Sequence, residues 1–316
     1  MVMLAIVIPY YKITFFKATL NSLANQTDKR FKVYIGDDAS SEDPAALLEK
    51  YKGQFNFVYH KFEANLGGIS LVKQWERCIA ITENEEWLMI LGDDDVLGKN
   101  VVKEFYTFID TKQQIDLIRF NLKIIDINGK IRSDGFSFSV HESAQDLLDR
   151  IFSIQETITA SEFIFSKSIY NQNNGFIEFP LAWFSDYATW LVFSKNSGIY
   201  NVNNESVYWR SSKINISAKS INIREIELKI QSLFLFMSFL QDHFIIEKKK
   251  QKEYTFIHLT NLLSDVKFFK ICSILSKCLF KYKFEFSEII ILEFVFKKMK
   301  RKIIKIYGGI CAASKG

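Results

Sequence analysis

The first 111 residues alternate between apolar runs of strand length and segments whose apolar residues recur with helical spacing. Strands that alternate with helices of this length predict an α/β fold, with a mostly parallel, Rossmann-like central sheet and helices on both faces. The predicted strands are residues 3–10, 31–40, 56–62 and 87–91, and the predicted helices are residues 14–26, 43–53, 68–82 and 101–111.

Composition places the chain among globular proteins. Its 316 residues are 48% hydrophobic, and the 3 prolines and 13 glycines leave little room for linkers. The four cysteines form no C-x-x-C pair, which favours reduced thiols in a cytoplasmic protein and argues against a zinc site. The N-terminal apolar run is too short for a signal peptide or a membrane span and is expected to be the first strand.

Charge is unevenly distributed along the chain. Residues 213–316 hold 20 Lys and Arg against 9 Asp and Glu, a net charge of +11, whereas residues 1–212 have a net charge of −6. The acidic part contains the alternating strands and helices. The basic part contains long Phe- and Ile-rich segments with helical periodicity at 224–244 and 287–309. We therefore expect an α/β domain over residues 1–215 and a helical region over residues 216–316.

Polar residues follow each of the four predicted strands. Ligands of such sheets collect at the carboxyl ends of the strands, so these residues are expected to share one edge. They are Pro9, Tyr10 and Tyr11 after the first strand, Asp37 and Asp38 after the second, Asn65 and Gly67 after the third, and Asp93, Asp94 and Asp95 after the fourth.

The three consecutive aspartates behind the fourth strand call for a cationic partner, because adjacent carboxylates repel one another and resist desolvation. The chain has neither G-x-G-x-x-G after the first strand nor a Walker loop, the usual glycine cradles for phosphates. Carboxylates that share Mg²⁺ or Mn²⁺ with substrate phosphates are the alternative. The triplet therefore predicts a metal-diphosphate clamp. The simpler alternative is a solvated loop that caps the next helix.

Several short stretches together resemble glycosyltransferase family 2, whose members have the GT-A fold. They are AIVIPYYK (5–12), YIGDDASSED (34–43), NLGG (65–68), ILGDDDVL (90–97), GFIEFPLAWFSDYATWLVF (175–193) and VYWRSSKINIS (207–217). No single stretch is specific, but their order and spacing are.

The resemblance implies a nucleotide-sugar site, Mn²⁺ or Mg²⁺ and a catalytic carboxylate. The metal ligands are Asp94 and Asp95 if Gly92 stands at the first acid of D-x-D-D, or Asp93 and Asp95 if these form the pair; Asp95 belongs to both alternatives. The residues implied for the nucleotide sugar are Pro9, Tyr10, Tyr11, Asp37, Asp38, Asn65, Gly67, Lys73, Asp93, Asp94 and Arg210.

Asp186 stands where the family has its catalytic base, which takes the proton of the acceptor hydroxyl. Ser185 replaces the glutamate that often precedes that base, and Trp183 and Glu178 are expected on the acceptor side. Arg210 replaces a histidine that reaches the metal or the diphosphate in many members. Two alternatives follow: the metal site lacks its third protein ligand, or Arg210 or Lys213 contacts the diphosphate directly.

The basic C-terminal region has two interpretations. It is either a helical bundle with solvated lysines, or a basic amphipathic surface that binds anionic lipid on the inner face of the plasma membrane. Nucleic acid is a poor third alternative, because no recognised binding motif accompanies the charge.

The sequence as a whole predicts a metal-dependent, inverting glycosyltransferase in surface polysaccharide assembly. It would transfer a sugar from a nucleotide sugar, most simply a UDP-sugar, to a hydroxyl of a glycan or a lipid-linked acceptor. The rivals are a non-catalytic sugar- or nucleotide-binding scaffold, and a sugar nucleotidyltransferase, which should have a glycine-rich basic loop where this chain has PYYKIT.

Overall fold

The computed structural model describes residues 3–110, 115–153, 157–212, 215, 222–282 and 287–299. The chain divides into two compact units, an N-terminal unit of Met1–Ala218 and a C-terminal unit of Lys219–Gly316. Lys213, Cys311 and the 300–309 part of the predicted last helix lie outside the described residues.

The N-terminal unit is built on one sheet. Its strands are β1 (Leu4–Tyr10), β2 (Phe31–Asp37), β3 (Asn56–Lys61), β4 (Trp87–Ile90), β5 (Val96–Leu97), β6 (Leu117–Ile125), β7 (Ile131–Ser133), β8 (His141–Glu142), β9 (Phe163–Ser166) and β10 (Ile199–Arg210). The strand order is β3-β2-β1-β4-β9-β6-β10-β5, and β7 and β8 pair with β6 and β10.

The helices of this unit precede and follow the strands as the alternation predicts in the first half of the chain. They are α1 (Phe16–Ala24), α2 (Ala45–Leu48), α3 (Leu71–Ile79), α4 (Val101–Ile109), α5 (Ala144–Ser153), α6 (Lys167–Gln172) and α7 (Ser185–Phe193). The predicted helix 43–53 is shorter than expected: α2 passes into a 3₁₀ turn, Glu49–Tyr51, which ends before Gly53 at φ +80°.

The two faces of β1 explain why helices cover the sheet on both sides. Leu4, Ile6 and Ile8 point into one core, where Leu20 of α1 and Val101 of α4 also lie. The intervening residues of β1 belong to the opposite face, and α3 packs against β1 and β2. This alternation in a strand buried on both faces is typical of a parallel sheet between helices.

The strands β1 to β4 pair in parallel, as predicted, and the second half of the sheet adds antiparallel strands that the sequence pattern did not reveal. β9 is antiparallel to both β4 and β6. β10 is parallel to β6 but antiparallel to the short β5, with Tyr208 opposite Val96. This pairing places Arg210, the last residue of β10, beside the aspartate triplet.

The C-terminal unit is helical, as its periodicity predicts. It contains α8 (Ile223–His243), α9 (Lys248–Leu262), α10 (Phe268–Lys281) and α11, which the structure describes over residues 287–299. Within the described ranges, no helix has the length and apolar character needed to cross a membrane.

Candidate active site

Asp93 connects the triplet to the loop after β1. Its Oδ2 accepts hydrogen bonds from the backbone N–H of Tyr11 (2.7 Å) and of Lys12 (2.8 Å), and the Thr19 hydroxyl donates to its carbonyl (3.1 Å). Burial raises the pKa of Asp93 to about 7, although the two backbone N–H groups act in the opposite direction. Asp93 therefore shapes the loop that follows β1.

Asp95 is the most deeply buried acid of the triplet, with 3% of its surface exposed. Its Oδ2 accepts a hydrogen bond from Ser161 Oγ (2.5 Å), and its Oδ1 accepts one from the backbone N–H of Arg210 (3.0 Å). Burial, and then the charge of Asp94, raise the pKa of Asp95 to about 8. An ionised Asp95 therefore requires a compensating cation at neutral pH.

Asp94 is half-buried, like Asp93. In the described part of the chain, fewer hydrogen bonds from other residues hold its carboxylate than hold those of Asp93 and Asp95. Burial raises its pKa, while the charges of Arg210 and Lys12 lower it. A Cβ at Gly92 would lie 3.0 Å from Asp94 Oδ1 and 2.9 Å from Asp95 Oδ2, so a side chain at position 92 would crowd both carboxylates. Glycine at the place of a first acid thus suits the pair Asp94 and Asp95.

Arg210 lies beside the triplet, as its replacement of the expected histidine suggests, but its side chain contacts backbone carbonyls. Its Nε donates to the carbonyl of Asp94 (2.9 Å), its Nη1 donates to that of Asp126 (2.9 Å), and its guanidinium lies 4.6 Å from the ring centre of Phe15. The buried guanidinium thus supplies positive charge near Asp94 and stabilises the end of β4.

Asp37 is the last residue of β2, Asp38 follows it, and both are buried. Asp37 accepts hydrogen bonds from Ser40 N (2.7 Å) and from the Tyr59 hydroxyl (2.6 Å). These bonds fix the turn between β2 and the following loop.

Asp38 organises the turn after β3. Its two oxygens accept the backbone N–H groups of Leu66 (2.6 Å) and Gly67 (2.9 Å), and it forms an ion pair with Arg77 of α3. A Cβ at Gly67 would lie 2.6 Å from Asp38 Oδ2, so this close approach requires glycine. The Asn65 side chain accepts from the N–H of Gly68 (2.7 Å) and completes the turn.

The remaining residues expected around the nucleotide differ in exposure. Pro9 and Tyr10 pair with Gly36 and Asp37 of β2, and the hydroxyl of the buried Tyr10 donates to the Glu42 carbonyl (2.6 Å). Tyr11, by contrast, is 47% exposed and follows the strand end directly. Among these three residues, Tyr11 therefore offers the largest accessible surface for a ligand.

Asp186 lies in the first turn of α7, and its Oδ1 accepts the backbone N–H of Tyr187 (2.9 Å). Burial, and then the charge of Glu162, raise the pKa of Asp186 to about 7. A carboxylate with a pKa near the working pH suits general-base catalysis.

The backbone immediately before Asp186 is unusual. Leu181, Ala182 and Phe184 have φ values of 59°, 52° and 70°, in the left-handed region that residues other than glycine rarely adopt. Trp183 lies among them, and its indole is 5.9 Å from the ring of Phe184. Such conformations persist only where surrounding contacts impose them, and they concentrate at functional sites.

Backbone N–H groups of the preceding segment are held by side chains. The Ser185 hydroxyl accepts from Phe179 N (2.9 Å), and Thr189 Oγ1 accepts from Ile177 N (3.0 Å). Ser185 is fully buried, which explains why a small hydroxyl residue stands where the family often has glutamate.

Glu178 and Lys73 approach each other at the start of α3. Glu178 Oε1 accepts a hydrogen bond from Ser70 Oγ (2.6 Å), and Lys73 Nζ lies 3.9 Å from Glu178 Oε2. The structure thus joins a residue expected on the nucleotide side to one expected on the acceptor side.

Sequence reasoning missed four polar residues that support these carboxylates: Arg77, Arg119, Ser161 and Glu162. Arg77 pairs with Asp38, Ser161 bonds Asp95, and Arg119 pairs with Glu162. For Arg119 and Glu162, the sequence offered one signal: a charged residue within or beside an apolar run, as in LIRF (117–120) and SEFIF (161–165). Within the described residues, no group of three or more His, Cys, Asp or Glu is arranged to hold a metal ion.

Solved structures resemble this chain over nearly its whole length. A structure of Staphylococcus aureus TarS 1–349 in complex with UDP-GlcNAc gives a TM-score of 0.68 at 18% identity, covering 96% of this chain and 92% of that one. The mannosyltransferase PcManGT from Pyrobaculum calidifontis, in complex with GDP-Man and Mn²⁺, gives 0.52 at 10% identity, covering 98% and 85%. The fold is therefore GT-A, as the sequence predicted.

Sequence comparison agrees with this fold. The poly(ribitol-phosphate) β-N-acetylglucosaminyltransferase TarS of Staphylococcus aureus is 28% identical over 134 residues, which are 41% of this chain and 22% of that protein. The match thus spans about a fifth of that relative's length. Residues 5–171, just over half of the chain, match the model of glycosyl transferase family 2, and the chain therefore belongs to this family of glycosyltransferases.

Proposed function

We propose that this glycosyltransferase transfers a sugar from a nucleotide sugar, most simply a UDP-sugar, to an acceptor hydroxyl in a metal-dependent, inverting reaction. The observation that carries the proposal is the cluster of carboxylates at the carboxyl end of β4, where burial raises the pKa of Asp95 to about 8. Carboxylates buried this way favour a bound cation. The complex of TarS with UDP-GlcNAc supports the choice of donor.

The donor set fits Mg²⁺ or Mn²⁺, which bind hard oxygen ligands and typically use one or two carboxylates together with substrate phosphates. Asp94 is the direct ligand in this proposal, because it is more exposed and has fewer internal bonds than Asp95. Asp95 is the second carboxylate. When bound, the metal neutralises charge on the diphosphate, and the complex of PcManGT with GDP-Man and Mn²⁺ supports its use here.

The protein's own residues then bind the rest of the donor. Asp37 and Asp38 shape the two turns that line the nucleoside pocket, and the exposed ring of Tyr11 lies at its entrance. Arg210 holds positive charge beside Asp94. Asp93 keeps the loop after β1 in place through the N–H groups of Tyr11 and Lys12.

Asp186 is the base in this proposal. Its carboxylate takes the proton of the acceptor hydroxyl as that oxygen attacks the anomeric carbon, and the bond from this carbon to the nucleotide breaks on the opposite face. Its pKa of about 7 leaves it ionised in half or more of the molecules at and above neutral pH. Trp183 and Glu178 line the acceptor side, and the acceptor is a glycan or lipid-linked glycan of surface polysaccharide assembly.

Donor hydrolysis tests the proposal and separates it from its rivals. The full chain with UDP-GlcNAc and Mn²⁺ should release UDP and free sugar, and a chelator or Asp94→Ala should abolish the release. A scaffold would bind UDP without turnover, and a nucleotidyltransferase would release pyrophosphate from UTP and a sugar phosphate. The absence of hydrolysis across UDP- and GDP-sugars, in a folded protein that binds UDP, would contradict the proposal.

We also propose that the C-terminal unit binds the anionic inner surface of the plasma membrane. The helix α11 exposes an apolar stripe at three- and four-residue spacing and carries Lys297 and Lys298, and α10 exposes Phe269 and Phe280. Exposed apolar residues beside lysines favour an anionic lipid surface. The stripe consists of Ile289, Leu292, Phe296 and Met299.

Co-sedimentation with vesicles tests this second proposal. The full chain should sediment with phosphatidylglycerol-containing vesicles, less so as salt screens the charges, and not with pure phosphatidylcholine. Serine at Leu292, Phe296 and Met299 should abolish sedimentation, whereas serine at the exposed Ile127 and Ile131 of the N-terminal unit should not. If both variants sediment to the same extent, the apolar stripe of α11 does not bind the vesicles, and the second proposal is wrong.

A further inference from the structure

The loop of residues 157–162, between α5 and β9, lies next to the aspartate triplet because β9 pairs with β4. Ser161 Oγ donates to Asp95 Oδ2 (2.5 Å) and accepts the backbone N–H of Gly92 (3.3 Å). Ser161 is buried, so water does not compete for these bonds. A single hydroxyl thus connects the end of β4 to the side chain of Asp95.

The same loop contacts α7, the helix that carries Asp186. The indole N–H of Trp190 donates to the carbonyl of Thr159 (3.1 Å), and the backbone N–H of Ile158 donates to the hydroxyl of Tyr187 (3.4 Å). Both contacts involve residues of α7, the helix that carries the proposed base. The 157–162 loop therefore touches the elements that carry the metal ligands and the base.

A buried ion pair fixes the shape of this loop. Glu162 Oε1 accepts from Arg119 Nε (2.9 Å) and Nη2 (2.6 Å), and both side chains are fully buried. Glu162 Oε2 accepts from the backbone N–H (3.1 Å) and the hydroxyl (3.0 Å) of Thr159. Breaking a buried pair is strongly destabilising, so these contacts oppose changes in the conformation of the loop.

We propose that Ser161 is a positioning residue, which orients Asp95 toward the metal and the diphosphate from a loop held rigid by Arg119 and Glu162. The inference rests on the proposed metal-dependent function and extends it to a residue outside the strand ends. Groups that hydrogen-bond a metal ligand commonly change metal affinity by ~10- to 100-fold when they are removed. Without Ser161 Oγ, Asp95 keeps its bond to Arg210 N and loses the one that fixes its second oxygen.

The test is Ser161→Ala in the full chain, with Mn²⁺ and UDP as probes. We expect Mn²⁺ affinity in the presence of UDP, measured from the paramagnetic resonance of free Mn²⁺, to fall by roughly tenfold. UDP affinity in chelator should not change. The Mn²⁺ concentration that half-activates UDP-GlcNAc hydrolysis should rise, and saturating Mn²⁺ should restore kcat, which a general loss of structure would not allow.

Two variants serve as comparisons. Ser161→Thr keeps the hydroxyl and should restore Mn²⁺ affinity. Ser166→Ala removes a similarly buried hydroxyl at the other end of β9, where it bonds Asp116 (2.8 Å), and should bind Mn²⁺ like the wild type. If Ser161→Ala does not fold, Ser161→Cys preserves the volume with a weaker donor and should show the same loss of affinity.

Asp94→Ala distinguishes failure of this inference from failure of the proposed function. If Ser161→Ala binds Mn²⁺ with an affinity within twofold of the wild type while Asp94→Ala abolishes Mn²⁺ binding, the proposed role of Ser161 is wrong and the proposed metal site stands. If Asp94→Ala and Asp95→Ala both bind Mn²⁺ and UDP normally, the metal clamp itself is wrong, and the role of Ser161 falls with it.

Discussion

The two sides of the candidate active site are built differently. On the donor side, the ends of β1, β2 and β4 bring Tyr10, Asp37 and the triplet together through regular strand pairing. On the acceptor side, Asp186 follows a segment in which three residues other than glycine have positive φ, held by side-chain bonds to backbone N–H groups. Regular strand pairing therefore brings the donor-side carboxylates together, whereas an irregular segment held by side chains precedes the proposed base.

The largest expected effect separates the two sides by mechanism. Asp186→Asn keeps the size of the side chain and can still cap a helix, but it cannot take the acceptor proton. We expect kcat with acceptor to fall by ~10²- to 10⁴-fold, while UDP affinity in Mn²⁺ stays at the wild-type value. Steady-state kinetics and calorimetry measure the two quantities.

Glu178→Gln is the matched control, because Glu178 lies in the same acceptor-side segment and is held by Ser70 and Lys73. It should keep kcat close to the wild-type value and change at most the KM for the acceptor. A near-normal rate for Asp186→Asn together with an inactive Glu178→Gln would move the base to Glu178.

The next effect lies on the donor side. Asp94→Ala removes the proposed direct ligand, so UDP affinity in Mn²⁺ should fall by about 100-fold or more, and affinity in chelator should remain as in the wild type. Asp95→Ala should also weaken binding in Mn²⁺, because Asp95 is the second carboxylate of the proposed metal site. Equal UDP affinity with and without chelator in the wild type would favour Arg210 as the diphosphate partner.

The sequence predicted the main strands of the site better than the side-chain contacts that join them. The spacing of apolar residues located β1 to β4 and the helices between them, because the side-chain pattern follows the secondary structure. The triplet was located because it follows the end of β4. The short β5 and β8, of two residues each, have too few positions for a pattern to appear. Ser161 and Glu162 act through contacts with residues distant in sequence, such as Asp95 and Arg119, which no local pattern encodes.

A smaller effect concerns pH. Burial raises the pKa of Asp93 and Asp186 to about 7 and of Asp95 to about 8. Because the unfolded chain releases these protons near pH 4, the folded state binds more protons between about pH 4 and 8. The free energy of unfolding should therefore fall as pH rises through this window and stop falling above it.

Mn²⁺ with UDP should oppose this loss, because the metal binds the ionised carboxylates. The increase in Tm on adding Mn²⁺ and UDP should be small at pH 5 and reach several degrees at pH 8, as thermal unfolding across this range can measure. Asp94→Ala should remove most of the increase. An increase that is equal at both pH values would mean that the buried acids of the donor side do not control metal binding.

The smallest effect tests the strained backbone, and both sides of the site offer an alanine for it. Ala39 follows Asp38 on the donor side with φ 53°, and Ala182 precedes Asp186 on the acceptor side with φ 52°. Glycine adopts this conformation without the steric cost that alanine has, so each Ala→Gly substitution should raise the free energy of unfolding by up to ~1 kcal/mol. Ala188→Gly, inside α7, should lower it by ~1 kcal/mol.

If irregular backbone positions only the base, Ala182→Gly should lower kcat severalfold, because glycine increases the number of conformations that the segment before Asp186 can adopt. Ala39→Gly should leave UDP affinity unchanged, since Asp37 and Asp38 are fixed by β2 and by their own hydrogen bonds. A loss of UDP affinity in Ala39→Gly equal to the loss of kcat in Ala182→Gly would show that both sides depend on strained backbone to the same degree.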